Sequence, residues 1–337
     1  MFPPIKRLMA AVEVLTSFIR RHASFIRRQW QRLEFYNLAE QRLNPPESSW
    51  GNLGFWRQQQ ALQGSPQEYA AACQQLAERL AEAAQLNSAS VVLDAGFGCG
   101  DQLLLWHQQF QIRNLYGINR SYSQTWLAQQ RLQQQGRPTS ASQCVAGDVH
   151  DLAHWRGLRG LGINRVLALD CIYHFPDKAG FLQQAVTLLR QPGTDVDAQL
   201  AYTDLVLTQP WRQIPLSQRC LLRLMLRLSR VPRGNMMTLS DNLQQLQRCS
   251  GVDAHYQDLS QAVMLGFARW WQSSQVRAQY PSAGRWLRPS WLKYEITARF
   301  LRWALRQRLL GYYLIHSGIR VDHNPLASGD VAADSHD

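Results

Sequence analysis

Val91 to Asp101, VVLDAGFGCGD, decides the fold. Val91, Val92 and Leu93 form the unbroken apolar run of a strand covered on both faces. Gly96, Gly98 and Gly100 follow at alternate positions, so the backbone turns sharply and leaves space where a Cβ would otherwise stand. Asp101 is expected as the N-cap of a helix continuing through Gln102, Leu103, Leu104, Leu105 and Trp106. Strand, glycine turn and helix in this order put a ligand beyond the carboxyl end of the strand.

The turn alone does not name the ligand, because nicotinamide, flavin and S-adenosylmethionine (SAM) sites all use one. The neighbours narrow it. Asp94 precedes the first glycine by two residues, where a carboxylate can orient the turn amides and reach a cationic amino group. VLDAGFGCG resembles the first motif of class I SAM-dependent methyltransferases of the small-molecule type, such as those acting on tocopherols, sterols and natural products. The resemblance implies an α/β fold: a Rossmann-like, doubly wound, seven-stranded and mostly parallel sheet with helices on both faces. It also implies SAM as cofactor and S-adenosylhomocysteine as product. A nicotinamide site is the minority reading.

Composition fits such a core. The chain has 337 residues, of which 45% are hydrophobic, enough for a sizeable interior. No apolar run is long enough to span a bilayer. The six cysteines are scattered without C-x-x-C or zinc-like spacing, which predicts reduced thiols, a cytoplasmic setting, no disulfide and no metal. The net charge of +12 is uneven: Leu205 to Arg320 holds 17 Arg plus Lys against 4 Asp plus Glu. Such a field suits anionic partners, whether an acidic acceptor, lipid headgroups or RNA, or is simply a solvated basic surface.

Residues 5 to 33 read as a basic amphipathic helix, able to lie on an anionic membrane surface or to dock on its own domain. Residues 1–49 are this helix and a linker, 50–320 the methyltransferase-like domain, and 321–337 a disordered polar tail. The aromatic loop NPPESSWGNLGFW precedes the core. Its Asn52, Gly54 and Trp56 resemble an N-x-G-x-W segment that folds over the cofactor in several small-molecule methyltransferases; a hydrophobic plug is the competing reading. Helix Pro66 to Leu86 should feed the first strand. Strands are expected at Asn114 to Asn119, Ser142 to Ala146, Arg165 to Asp170, Ala198 to Leu207, Val252 to Gln257 and Gly311 to Arg320. Between the fifth strand and the next helix, Leu216 to Val231 carries Arg219, Arg223, Arg227 and Arg230 on one stripe and reads as a lid. Residues 210–236 and 261–310 are the lid and substrate elements.

Carried over by resemblance, the cofactor site comprises Trp56, Asp94, Gly96, Phe97, Gly98, Gly100, Gln102 and Arg120, with Asn119 for the ribose. Asp148 with Val149 would meet the adenine, and Asp170 would complete the site. Asn119 stands where many relatives have an acid, and an amide still pairs with a diol. Asp148 has a plainer reading as a helix cap. LDCIYHFPD resembles the E-S-x-x-H-x-P-D segment of the same enzymes, with Asp170 for the usual Glu. His174 is therefore the candidate general base, Tyr173 shapes the pocket, and Asp204 partners the histidine or the substrate. His150 and His154 lack a third ligand and carry no metal assignment. The expected function is methyl transfer to an O, N or C nucleophile of a small, amphipathic or lipid-like acceptor. The other readings are an RNA methyltransferase, ranked lower for want of an RNA-binding module, and a non-catalytic SAM-binding regulator.

Overall fold

A computed structural model describes residues 43–57, 62–135, 143–152, 155–158, 160–191, 197–278 and 289–320. The expected strand forms as β1, Val91–Ala95, and pairs in parallel with β2, Asn114–Asn119, and β4, Arg165–Ala168. β3, Cys144–Ala146, adds outside β2, and β5, Gln199–Leu207, outside β4. The last strand, β7, Leu310–Gly318, runs antiparallel between β5 and β6, His255–Asp258, giving the order β3-β2-β1-β4-β5-β7-β6. Chain progression reverses between β1 and β4, which opens a crevice over their carboxyl ends.

Helices cover both faces. α1, Pro66–Ala83, begins at a capping box in which Ser65 and Glu68 satisfy each other's backbone amides. α2 is Asp101–Gln108, α3 is Tyr122–Gln134 capped by Ser121, and α4 is Lys178–Leu189 capped by Asp177. After β5 come α5, Leu216–Leu228, and α6, Leu239–Ser250, which opens at a Thr238–Asp241 capping box. A π-helical turn, Gln261–Leu265, leads into α7, Gly266–Ser273; α8 is Gln275–Ala278 and α9 is Pro289–Arg306.

Alternation along the strands divides the interior in two. Val92, Leu167 and Leu205 pack with Leu76, Trp106, Trp270 and Leu301 on one side of the sheet. Leu93, Val166 and Tyr202 pack with Phe181, Leu182 and Leu246 on the other. The basic helix expected over residues 5 to 33, its membrane-surface role, and the tail from residue 321 lie outside the described residues. One expected cap is corrected. Gly100, in the left-handed region at φ 93°, is the N-cap of α2, while Asp101 is its first helical residue and has another task.

Candidate functional site

A cavity of about 370 Å³ lies beyond the carboxyl ends of β1 to β4, within the span of about 300–1,000 Å³ usual for small-molecule sites. Each wall comes from the loop after a strand. Gly96 to Cys99 follow β1, Asn119 to Ser121 include the end of β2, Gly147 to Val149 follow β3, and Leu169 to Cys171 with His174 to Pro176 follow β4. Residues 49 to 52 close one side and Arg230, just past α5, lies at another.

The glycine turn works as its spacing predicts, with a different task at each position. A Cβ on Gly96 would stand 2.6 Å from Cys171 Sγ, and one on Gly100 2.7 Å from Ala128 Cβ, so these two allow close packing of the loop. Gly98, at φ 57°, has nothing within 4 Å of its missing Cβ, so its bare backbone borders the cavity itself.

Asp94 lies beneath this loop rather than in the cavity wall. It is fully buried, and its carboxylate accepts from Gln102 Nε2 at 2.8 Å to each oxygen and from Trp106 Nε1 at 2.7 Å. Burial pushes the Asp94 carboxyl up to about 6 against the opposing pull of those two donors. The expectation of direct ligand contact is thus corrected: Gln102 lines the cavity, and Asp94 holds it there.

The wall opposite is held by Asp101, a residue whose sequence reading gave only a cap. Its carboxylate accepts from Ser49 N at 3.0 Å and pairs with Arg131 at 2.6 Å. Arg131 also donates to the carbonyls of Cys99 and Glu47, so one ion pair joins α2, α3, the glycine turn and the segment before residue 50. Asn119, Arg120, Asp148 and Val149 line the cavity as expected. The Asn119 amide donates to Gln124 Oε1 at 3.2 Å and Gly98 O at 3.4 Å. Asp148 also accepts from His150 N at 3.1 Å, so it caps a short turn while bordering the cavity.

Trp56 is not part of the wall. Its indole is buried, stacks on Trp270 at 5.4 Å, and lies where a Cβ on Gly266 would stand 2.6 Å from the ring. It is the plug; Trp50, Gly51 and Asn52 of the same loop reach the cavity instead.

After β4, Asp170 sits at φ 54°, a strained setting for a residue with a side chain. Its amide donates to Thr203 Oγ1 at 2.7 Å. Its carboxylate accepts three donors at 2.7 Å: Leu53 N, Tyr173 Oη and Tyr312 Oη. Asp170 lines the cavity, and Tyr173 acts on it from behind. His174 also lines the cavity. Burial, then the positive charge of Lys293, lowers its imidazole to about 3, so the ring is neutral at any working pH.

Asp204 does not join His174. One oxygen accepts from Lys178 Nζ at 2.7 Å and from Asn242 Nδ2, and the other has no hydrogen-bond partner among the described residues. The pleat of β5 explains this, since Thr203 faces Asp170 and Tyr312 whereas Asp204, one residue on, points to the other face with α4 and α6. Ser49, Trp50, Asp101, Gln124, Phe175 and Arg230 line the cavity without having been assigned to the site; the aromatic loop gave a signal for the first two, the helix start for Asp101 and the arginine stripe of the lid for Arg230. No group of three metal-ligating side chains occurs among the described residues.

Residues 93–195, which include the glycine turn, β2, β3 and the β4 loop, match the family model described as a methyltransferase domain. Over these residues the chain is similar to a methyltransferase domain, and the arrangement of its sheet and cavity agrees with that match. Erythromycin 3''-O-methyltransferase of Saccharopolyspora erythraea is 27% identical over 163 residues, which are 48% of this chain and 49% of that protein. The match therefore spans about half of either chain. Among solved structures, geranyl diphosphate C-methyltransferase from Streptomyces coelicolor is 14% identical with a TM-score of 0.59, covering 80% of this chain and 88% of that one. A cyclopropane synthase from Mycobacterium tuberculosis is 14% identical with a TM-score of 0.62, covering 84% and 95%. These two establish the likeness of fold.

Proposed function

We propose that this protein transfers a methyl group from SAM to a hydroxyl, amine or carbon nucleophile of a small amphipathic acceptor, with His174 receiving the acceptor's proton. The observation that carries the reading is the one cavity that the bare Gly98 backbone and His174 both line, from the loops after β1 and β4. Gln102, the glycine turn, Asn119, Asp148, Val149 and Asp170 would hold the cofactor, which brings a methyl group made electrophilic by its cationic sulfur. The donor set suits that group. Two cavity-lining carboxylates, those of Asp148 and Asp170, suit a cationic ligand, Asp101 being paired with Arg131, and Ile118 and Val149 give an apolar setting for a flat base.

The chain's own work is alignment, exclusion of water and removal of one proton. An imidazole at about 3 is a weak base toward a resting alcohol. A hydroxyl oxygen that gained a third bond, to the methyl carbon, would become far more acidic, and the His174 ring would accept its proton while the electron pair of the broken carbon–sulfur bond stayed on sulfur. A hydroxyl is the acceptor group that the O-methylating relative supports. No helix among the described residues is long and apolar enough to cross a membrane.

Calorimetric titration with SAM and NADH, joined to a single-turnover assay, tests this. Parent protein and His174→Ala are expected to bind SAM alike, with methyl transfer slowed about a hundredfold in the variant. Asp94→Ala is expected to lose SAM binding. Binding of NADH in preference to SAM would overturn the reading.

A further inference from the structure

A second cavity lies away from the first and shares none of its lining residues. It is lined by Trp211, Arg212, Arg219, Arg223, Arg233 and Met236: the short turn Trp211–Gln213, α5 and the turn Arg233–Asn235. Four guanidinium groups meet there without a carboxylate among the lining residues. The stretch that supplies the lining, Leu205 to Ser240, itself holds six arginines and no Asp or Glu.

Like charges gathered at one place repel unless something neutralises them, and surface arginines free to do so spread into water. Here they are held. Arg223 and Arg233 lie over the Trp211 ring, their guanidinium carbons 5.9 and 5.4 Å from its centroid, so the indole fixes two forks at once. The Nε of Arg219 is buried without a hydrogen-bond acceptor among the described residues, a state that costs free energy until an acceptor arrives. Planar guanidinium groups with no carboxylate among the residues lining their cavity fit the tetrahedral oxygens of phosphate, each fork able to give two parallel hydrogen bonds.

We propose that this arginine cavity binds the phosphate or diphosphate end of the acceptor. The word acceptor rests on the methyl-transfer reading; the oxyanion site does not. The link between the two cavities is the segment after α5. Arg230 lines the first, Arg233 and Met236 line the second, and three residues span at most about 11 Å of chain. A short stretch of chain thus joins the two linings, and an acceptor anchored here would direct its other end toward the cavity that His174 lines. The absence of acids from the arginine cavity selects against cationic acceptors by the same charge that holds an anionic one.

The test is calorimetric titration of the full chain, first with S-adenosylhomocysteine and then with sodium pyrophosphate, inorganic phosphate or disodium succinate at low salt. Pyrophosphate is expected to bind more tightly than phosphate. The affinity should fall at least tenfold in Arg219→Gln/Arg233→Gln, and less in Arg219→Lys/Arg233→Lys, which keeps charge without the planar fork. Equal pyrophosphate affinity in parent and Gln variant, or no binding in the parent, would overturn the proposal, and succinate binding as tightly as pyrophosphate would overturn its phosphate specificity. Flotation with phosphatidylglycerol and phosphatidylcholine vesicles separates the sources. Flotation unchanged in the Gln variant supports a soluble phosphate ester, whereas anionic-vesicle binding lost in that variant assigns the site to a lipid headgroup. S-adenosylhomocysteine binding without pyrophosphate binding removes this inference alone; failure to bind S-adenosylhomocysteine removes the methyl-transfer reading.

Discussion

Asp170 and Asp204 come from adjacent strands and end in opposite settings. Asp170 follows β4 on the open side of the crevice, where its carboxylate gathers Leu53, Tyr173 and Tyr312 around one wall of the cavity. Asp204 lies within β5, wholly buried, and meets Lys178, itself only 1% exposed, under α4. A carboxylate at a strand's end can face a ligand because the chain is leaving the sheet there. One within a central strand faces whatever covers that side, and burial obliges the fold to supply a cation.

The sharpest way to break this contrast is to remove the buried acid. Asp204→Ala leaves a buried lysine without its counter-ion and is expected to lower stability by about 3–5 kcal/mol, seen as an earlier midpoint in urea. Lys178→Met/Asp204→Leu should recover most of the loss. If instead Asp204→Ala unfolds like the parent and loses only turnover, Asp204 belongs with the reacting groups.

A smaller effect separates two glycines of one turn. Gly98→Ala puts a methyl group into the cavity and is expected to weaken SAM about tenfold, with a stability cost near ~1 kcal/mol from its positive φ. Gly96→Ala meets Cys171 and is expected to show the reverse balance, a larger loss in urea for a smaller change in affinity. Paired titration and unfolding curves decide between these assignments.

The smallest expected effect concerns pH. His174 in the folded chain is lowered to about 3, below its ordinary 6.5. The unfolded chain therefore binds the proton first. Its contribution to stability is complete above about 6.5 and is lost as pH falls from there toward 3. Asp94, raised to about 6 from 3.8, acts oppositely, its burial weighing against the fold above that range and easing as it protonates. Replacing His174 by Gln should remove the first slope, so the parent's advantage over His174→Gln shrinks by about 1 kcal/mol between pH 6.5 and 5.5. An unchanged difference would mean that the imidazole is not desolvated.

These cases also show what the sequence carries. β1, the glycine turn and the β4 loop are legible because they make demands on the backbone that only certain residues meet. The side toward which Asp204 points is not. AYTDLVL is apolar or buried on both faces, so it lacks the alternation from which the phase of the pleat is read. Trp50 and Trp56 share the same difficulty: composition marks the loop as aromatic, but which ring packs inward depends on Gly266, far away in sequence. Asp101 was visible as a helix-starting residue, while its pairing with Arg131 needed the approach of α3.

Asp170's bond to Tyr312 has a consequence for the order of events on the ribosome. The two residues are 142 positions apart, and β7 must slide between β5 and β6 before the phenol reaches the carboxylate. At about 5–20 residues per second, roughly 7–28 s of synthesis separate them. During that interval the strained Asp170 lacks one of its holders, so the nascent chain completes this wall of its cavity only when the final strand arrives.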